Sequence, residues 1–213
     1  MEDNKSGGTV NYDIVGEGIP IVMLHGGPGD LLYMKGLMEP VFQEHSNWQR
    51  LYLDLPGCGL TKTDETVKSY DDVLEFVLEF ITQQLPDRRF ALAGHSYGGY
   101  LARGVIHRWS NRVSGLCLIT PRIVQVRDKK IVPEHATLFA EPGFREYLTP
   151  EEEWMTDYLL DSPFESPTLI ITGRQDRVTG YQDAWDLIEN IPRASFAVLD
   201  RASHFLSYCR ALP

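Results

Sequence analysis

The sequence predicts an α/β fold in which a mostly parallel sheet is covered by helices on both faces. Short β-branched or apolar runs alternate with amphipathic stretches along most of the chain, and this alternation is typical of parallel sheets. Turn-forming residues, such as the pair at positions 56 and 57, follow several of these runs directly. The 213 residues, of which 43% are hydrophobic, are enough for one domain with a real core.

The strands are predicted from short apolar runs that end at turn residues. They are Thr9–Val15, Ile21–Leu24, Gln49–Leu55, Phe90–Ala93, Val113–Ile119, Pro167–Thr172 and Ala194–Leu199. Apolar residues at helical spacing predict helices at Ser69–Leu85, with Ser69 as its cap, Tyr97–Trp109 and Gln182–Glu189. Right-handed crossovers between such strands place ligands at their carboxyl ends.

Residues 121–166 interrupt the alternation. This segment holds several prolines and an acidic cluster at 151–153, and it contains no convincing strand. Connections longer than about 12–15 residues without structure of their own are uncommon. We therefore expect an α/β core formed by residues 1–120 and 167–213, with a short cap or lid inserted at 121–166. A plain surface loop is the alternative.

The composition of the chain limits which partners, compartments and cofactors are expected. The net charge of −10 disfavours nucleic acid and anionic membrane surfaces as partners. The polar start of the chain does not resemble a secretory signal, and no apolar run approaches the roughly 20 residues of a membrane span. Three cysteines at unrelated spacings indicate neither a disulfide framework nor a zinc site. We expect a cytoplasmic protein without a metal or other cofactor.

The segment GHSYG at residues 94–98 lies between a predicted strand and a predicted helix. A serine hydroxyl is a weak nucleophile, so it must be exposed beside a base and hydrogen-bond donors. A sharp strand-to-helix turn achieves this, and glycines on each side let strand and helix approach closely. The pattern favours Ser96 as a nucleophile. The alternative is a glycine-rich turn in which Ser96 only caps the helix, in which case His95 would point elsewhere.

A second glycine-rich segment, HGGPG at residues 25–29, also follows a predicted strand. Its backbone N–H groups are suited to a developing oxyanion, and the N–H of Tyr97 would be the matching donor. The segment lacks the lysine and hydroxyl residue of a phosphate-binding P-loop. We expect the His25 ring to brace this loop and to take no part in chemistry.

Asp176 and His204 follow the last two predicted strands, so they are expected at the same edge of the sheet as Ser96. Histidine is the natural base for a hydroxyl at neutral pH, and a buried carboxylate fixes its tautomer. The order serine, aspartate, histidine is the one found in α/β sheets of this kind. Segment 54–59 is explained by a tight turn, and Cys58 is a poor alternative nucleophile.

These motifs together resemble the α/β-hydrolase superfamily, nearly end to end. The resemblance is carried by HGGPG at 25–29, DLPGCG at 54–59, GHSYGG at 94–99, TGRQD at 172–176 and SH at 203–204. It implies that Ser96, Asp176 and His204 form a catalytic triad and that Gly27 and Tyr97 form the oxyanion hole. The HGGPG form is similar to that of proline iminopeptidases and of bacterial esterase-like hydrolases.

Two departures from the family bear on partners. The lid is short, and only nine residues follow His204, where family members usually end in a longer helix packed on the sheet. Apolar residues of this tail are expected to form a stub of that helix; they are Phe205, Leu206, Tyr208 and Leu212. Sheet surface left uncovered would suit a partner subunit, which predicts a homodimer as one arrangement.

We expect a serine hydrolase that cleaves a small carboxylic ester or a related acyl compound. One alternative is an aminopeptidase of the iminopeptidase type, in which the lid glutamates Glu134, Glu141 and 151–153 would bind a free amino terminus. The other is a ligand-binding protein that keeps the triad but turns over weakly. The substrate-binding residues are unknown; the aromatic side chains of the lid are candidates, namely Phe139, Phe144, Tyr147, Trp154 and Tyr158.

Overall fold

The computed structural model describes residues 2–3, 10–63, 67–123, 160 and 162–206. Most of the predicted lid at 121–166 lies outside these residues, as do the glutamates and aromatic side chains proposed above for binding. The division into core and lid therefore stays a prediction. Of the predicted C-terminal stub, residues 207–213 also lie outside the described part.

Within the described residues, strands and helices alternate along the chain. The strands are β1 (Glu2–Asp3), β2 (Val10–Val15), β3 (Ile19–Leu24), β4 (Trp48–Leu53), β5 (Phe90–His95), β6 (Val113–Ile119), β7 (Thr168–Gly173) and β8 (Ala194–Leu199). The helices are α1 (Leu31–Phe42), α2 (Tyr70–Gln84), α3 (Tyr97–Trp109) and α4 (Gln182–Trp185). A 3₁₀ turn at Asp186–Asn190 follows α4.

The strands form one sheet in the order β1-β2-β4-β3-β5-β6-β7-β8. The first two strands run antiparallel to their neighbours, and all pairs from β4 to β8 are parallel. The prediction of a mostly parallel sheet is confirmed. Strand β3 lies between β4 and β5, so the chain leaves β3 toward one side of the sheet and later continues on the other. Ligand sites of parallel sheets form at such a switch point.

Helices cover the sheet on both faces, as predicted. In β3 the side chains alternate: Val22 and Leu24 pack in the core with α2 and α3, whereas Ile21 and Met23 pack against α1 on the opposite face. The alternation follows from the two-residue period of a strand. Because both faces of β3 are buried, its sequence is a continuous apolar run with no polar face.

Helix α1 is the main element that the sequence analysis did not predict. Gly36 and Pro40 lie inside it and weaken the helical pattern. The helix nevertheless has a cap, because the Asp30 side chain accepts a hydrogen bond from the N–H of Tyr33 at 2.9 Å. Its buried residues Leu31, Met34 and Met38 share one face.

Other boundaries agree with the prediction or differ from it by one or two residues. The predicted cap of α2 is confirmed: Ser69 accepts from the N–H of Asp72, and the Asp72 carboxylate accepts from the N–H of Ser69. The helix predicted at Gln182–Glu189 is wrong in its second half, where the 3₁₀ turn replaces α-helix.

Glycine is required where β5 meets α3. A Cβ added to Gly94 would lie 2.3 Å from the carbonyl oxygen of Gly98, and one added to Gly98 would lie 2.2 Å from the carbonyl oxygen of Leu24. Backbone atoms occupy these positions, so neither clash can be relieved by rotating a side chain. The close approach of strand and helix fixes the sharp turn that carries Ser96.

This packing gives a stability prediction. Gly98→Ala should lower the free energy of unfolding by about 1–3 kcal/mol or more, because overpacking a core usually costs this much. Gly36→Ala is the matched control, because a Cβ there meets nothing within 4 Å and should raise stability by about 0.5–1 kcal/mol. Denaturant unfolding of both variants checks this. A Gly98→Ala protein as stable as the wild type would contradict the close packing.

Candidate active site

Ser96 lies at the turn between β5 and α3 in a strained backbone conformation. Its φ of 51° and ψ of −112° are rare for a residue with a side chain. The side chain makes no cap hydrogen bond to α3. Instead, Ser96 Oγ lies 2.9 Å from His204 Nε2. The alternative in which Ser96 only caps the helix is therefore wrong.

The structure brings the three predicted triad residues together. The Nδ1 atom of His204 lies 2.9 Å from Asp176 Oδ2, on the side of the ring opposite Ser96. All three residues are buried. Since the carboxylate accepts the Nδ1 proton, Nε2 is left to accept the Ser96 hydroxyl proton. The arrangement can transfer a proton from a serine hydroxyl to an imidazole.

The Asp176 carboxylate is held in one orientation. Its Oδ1 accepts from the N–H groups of Val178 at 2.8 Å and Thr179 at 3.0 Å, and its Oδ2 accepts from the Thr179 hydroxyl at 2.7 Å. Burial alone would raise the pKa of Asp176, but the adjacent His204 and the Thr179 hydrogen bonds outweigh burial and lower the pKa to about 2. The carboxylate is therefore charged at neutral pH.

The glycine-rich segment after β3 lies against the serine. A Cβ added to Gly26 would come within 2.9 Å of Ser96 Cβ, whereas one added to Gly27 would meet nothing within 4 Å. Gly27, the next residue, thus faces open space. Tyr97 begins α3, so no carbonyl of its own helix can accept its N–H. The roles of Gly27 and Tyr97 as oxyanion donors stay predictions.

His25 braces this segment, as expected from the sequence. Its ring lies 2.8 Å from the Gly26 carbonyl through Nδ1 and accepts the N–H of Leu55 through Nε2 at 3.0 Å. A carbonyl can only accept, so Nδ1 carries the proton. Burial lowers the pKa of His25 and favours this neutral form. The ring therefore ties the loop after β3 to the loop after β4.

Segment 54–59 has the structural role that the sequence indicated. The Asp54 carboxylate accepts from the N–H groups of Leu31 at 2.7 Å and Leu60 at 2.8 Å, and from the side chain of Asn11 at 2.7 Å. Burial, followed by the charge of Asp54, raises the pKa of Cys58. The cysteine is thus held as a thiol, which is a weaker nucleophile than a thiolate.

The sequence analysis did not predict that two residues contact the backbone carbonyl of His204. Thr120 donates its hydroxyl to the backbone carbonyl of His204 at 2.8 Å, and His95 Nε2 lies 3.2 Å from the same oxygen. The His95 ring packs beside the His204 ring, with centroids 5.2 Å apart. Burial, with His204 adjacent, lowers the pKa of His95 to about 3, so this ring is neutral.

One signal in the sequence could have identified Thr120. This residue directly follows the buried strand β6, just as Ser96 follows β5. A polar residue at the carboxyl end of a parallel strand lies at the edge where ligand sites form. Searching every strand end for polar residues would have added Thr120 to the site.

The described residues offer no alternative centre based on a metal. No group of three or more histidine, cysteine, aspartate or glutamate residues within them could hold an ion. Among the helices of this part of the chain, none is both long enough and apolar enough to cross a bilayer.

The lowered pKa of Asp176 predicts a specific acid sensitivity. A folded-state pKa of about 2, below the ordinary 3.8, means that the charged carboxylate stabilises the fold above pH 4. This contribution is lost as pH falls from about 4 to about 2. Wild-type unfolding free energy should therefore fall more steeply across this window than that of Asp176→Asn, measured by denaturant titration.

The exposed Asp87 supplies the matched control for this measurement. An Asp87→Asn variant should follow the wild-type curve. Parallel curves for wild type and Asp176→Asn would show that the carboxylate is not stabilised in the way the hydrogen bonds indicate.

Comparison with known proteins places this chain in a family. A family model described as alpha/beta hydrolase fold matches residues 19–150. A cis-3-alkyl-4-alkyloxetan-2-one decarboxylase from Shewanella oneidensis is 27% identical over 136 residues, covering 61% of this chain and 41% of that protein. The chain therefore matches less than half the length of this relative.

Two further relatives are matched over most of their length. A 2-hydroxy-6-oxo-2,4-heptadienoate hydrolase from Pseudomonas putida is 25% identical, with 92% of this chain and 86% of that protein covered. A crystal structure of an α/β-superfamily hydrolase from Oenococcus oeni is 26% identical, with a TM-score of 0.75 and coverage of 92% of this chain and 89% of that one. These relatives support the predicted class of hydrolase. The protein belongs to the α/β-hydrolase fold family, as the sequence motifs predicted.

Proposed function

We propose that the protein is a serine hydrolase that cleaves a small carboxylic ester, or a related acyl compound, with Ser96 as nucleophile. The observation that carries this proposal is the continuous line of hydrogen bonds from Asp176 through His204 to Ser96, with 2.9 Å at each step. A hydrogen-bonded nucleophile, base and orienting carboxylate are the components of covalent acyl transfer.

In the first half of the proposed reaction, Ser96 Oγ attacks the carbonyl carbon of the substrate. Its proton passes to His204 Nε2, and the charged Asp176 stabilises the imidazolium that forms. The carbonyl oxygen becomes an oxyanion facing the N–H groups of Gly27 and Tyr97. Each such donor typically contributes about 10²–10³ in rate. His204 then protonates the leaving alkoxide, and an alcohol and an acyl-enzyme result.

In the second half, water replaces the alcohol. His204 takes a proton from the water as its oxygen attacks the acyl carbonyl, and the same backbone donors stabilise the second oxyanion. The tetrahedral intermediate collapses, the proton returns to Ser96 Oγ, and a carboxylic acid is released. The reaction needs no group beyond the three side chains, the two backbone donors and water.

The strain at Ser96 supports this function over a structural role for the residue. Backbone conformations of this kind cost on the order of 1–3 kcal/mol and concentrate at active sites. The turn places Ser96 Oγ at the N-terminal end of α3, where the helix dipole favours the negative charge of the intermediate. A residue that only linked strand to helix would adopt a relaxed conformation.

One relative suggests a second substrate class. The Pseudomonas putida relative is named as a hydrolase of 2-hydroxy-6-oxo-2,4-heptadienoate and is matched over 92% of this chain. Hydrolysis of an oxo-dienoic acid at its ketone carbonyl would use the same nucleophile and base, but the bond broken would be carbon–carbon, and the leaving carbon would take up the proton that His204 carries. The aminopeptidase alternative depends on lid glutamates that lie outside the described residues, so no contact favours it.

The predicted homodimer, and the absence of nucleic-acid and membrane partners, likewise stay predictions.

The experiment is a panel of p-nitrophenyl esters of increasing chain length, run beside aminoacyl amides and an oxo-dienoic acid. Wild-type protein should hydrolyse the short esters and react with a fluorophosphonate probe. Ser96→Ala should lose the labelling and lower kcat/KM by about 10³-fold or more, because the nucleophile is gone. Ser110→Ala, at the exposed end of α3, is the control and should retain both.

Other outcomes separate the alternatives. Preference for aminoacyl amides would favour the aminopeptidase, and preference for the oxo-dienoic acid would favour the second substrate class. A ligand that raises the melting temperature without forming product would indicate a binding protein. Folded wild-type protein that is neither labelled nor active, like Ser96→Ala, would contradict the proposed function.

A further inference from the structure

The segment at the carboxyl end of β6, residues 119–122, contacts all three loops of the candidate triad. These loops carry Ser96 after β5, Asp176 after β7 and His204 after β8. Because β6 lies between β5 and β7 in the sheet, its carboxyl end is next to two of the loops and within reach of the third. The segment itself carries none of the three triad side chains.

Its contacts with the nucleophile are through the backbone. The N–H of Ser96 donates to the Ile119 carbonyl at 2.9 Å, and the N–H of Arg122 donates to the Ser96 carbonyl at 3.0 Å. The strained turn at Ser96 is thus held from both sides by one neighbouring segment. Thr120 lies between these two contact residues, Ile119 and Arg122. It is therefore placed among the three loops.

Thr120 connects the remaining two loops. Its hydroxyl donates to the His204 carbonyl at 2.8 Å. Its own carbonyl oxygen lies 3.3 Å from the hydroxyl of Thr179, the group that contacts Asp176 Oδ2 at 2.7 Å. Thr120 therefore contacts His204 directly and Asp176 through the hydroxyl of Thr179.

The backbone of Thr120 is itself unusual. Its φ is 40°, in the left-handed region that β-branched residues rarely adopt, and the residue is 0% exposed. Such strain persists only where surrounding contacts over-determine the conformation, and it concentrates at functional sites. The N–H of Thr120 is held by the Ile171 carbonyl at 2.7 Å, so the conformation is anchored as well as strained.

We propose that Thr120 is a positioning residue for the hydrolysis proposed above: its hydroxyl fixes the backbone of His204 and so keeps the ring aligned with both Ser96 and Asp176. The inference rests on that proposed function. His204 lies on a loop, where the backbone is freer to shift than in a strand. A displacement of about 1 Å in a catalytic group can reduce the rate by about 10²-fold.

His95 supplies a second donor to the same carbonyl. Because a carbonyl oxygen only accepts, the proton of the His95 ring lies on Nε2, 3.2 Å away. The two donors lie at the carboxyl ends of neighbouring strands, His95 as the last residue of β5 and Thr120 directly after β6, and they meet on one oxygen. Thr120 makes the shorter bond of the two.

The test compares Thr120→Val, which keeps shape and branching but lacks the hydroxyl, with Thr120→Ser, which keeps the hydroxyl. The control is Thr168→Val at the start of β7, whose buried hydroxyl also donates to a backbone carbonyl, that of Ser166. Thr120→Val should lower kcat by about 10–100-fold with KM unchanged, because alignment and not binding is lost. Thr120→Ser should retain most of kcat, and Thr168→Val should behave like the wild type.

A second readout does not depend on turnover. Long-range ¹H–¹⁵N spectra of the histidine rings report the tautomer of His204, which the structure places with its proton on Nδ1. Thr120→Val should mix the two tautomers, whereas Thr168→Val should not. If wild-type protein is inactive, the proposed function fails and this spectrum alone decides the positioning role.

Thr120→Gly keeps the inference testable if the valine variant does not fold, since glycine adopts a positive φ without strain. It should fold and still lose kcat. Three results would each overturn the inference. The first is an unchanged kcat and an unchanged His204 tautomer in a folded Thr120→Val or Thr120→Gly protein, and the second is a raised KM with kcat unchanged. The third is a fall in kcat that Thr168→Val shares, in proportion to a lower melting temperature.

Discussion

The parallel pairing of β5, β6, β7 and β8 is the constraint on which the site depends. These strands are consecutive neighbours in the sheet, so their carboxyl ends lie along one edge. Side chains separated by more than a hundred positions in sequence are thereby brought within hydrogen-bond distance, as with Ser96 and His204. A shift in register between any two of these strands would move the loops out of contact.

Two buried residues at this edge, Ser96 and Thr120, have strained backbones, and the fold offsets their strain by close packing. Ser96 and Thr120 both have positive φ values, each of which costs on the order of 1–3 kcal/mol. The close strand-to-helix contact through Gly94 and Gly98 constrains the turn at Ser96, and the backbone N–H of Thr120 is anchored on the Ile171 carbonyl. The site is therefore preorganised before any substrate arrives, which is the condition for electrostatic stabilisation of an oxyanion.

The sequence predicted much of this arrangement because each triad residue lies within about five residues of the end of a strand that is recognisable by its apolar run. It could not predict the contacts of Thr120 and His95 with the His204 carbonyl, since backbone acceptors carry no sequence signal and the partners are distant in the chain. Helix α1 was missed for a different reason: Gly36 and Pro40 obscure a helix that tertiary packing and the Asp30 cap stabilise. Local propensity is a weak guide where packing of this kind decides.

The central claim is that the hydrogen-bonded line ending at Ser96 makes that hydroxyl the attacking group. The most direct measurement is intact and peptide mass analysis of the protein quenched during turnover of an activated ester. We predict a mass increase equal to the acyl group, located on the peptide that contains Ser96. Turnover that proceeds with no acyl adduct on Ser96, or with the adduct on another residue such as Cys58, would contradict the claim.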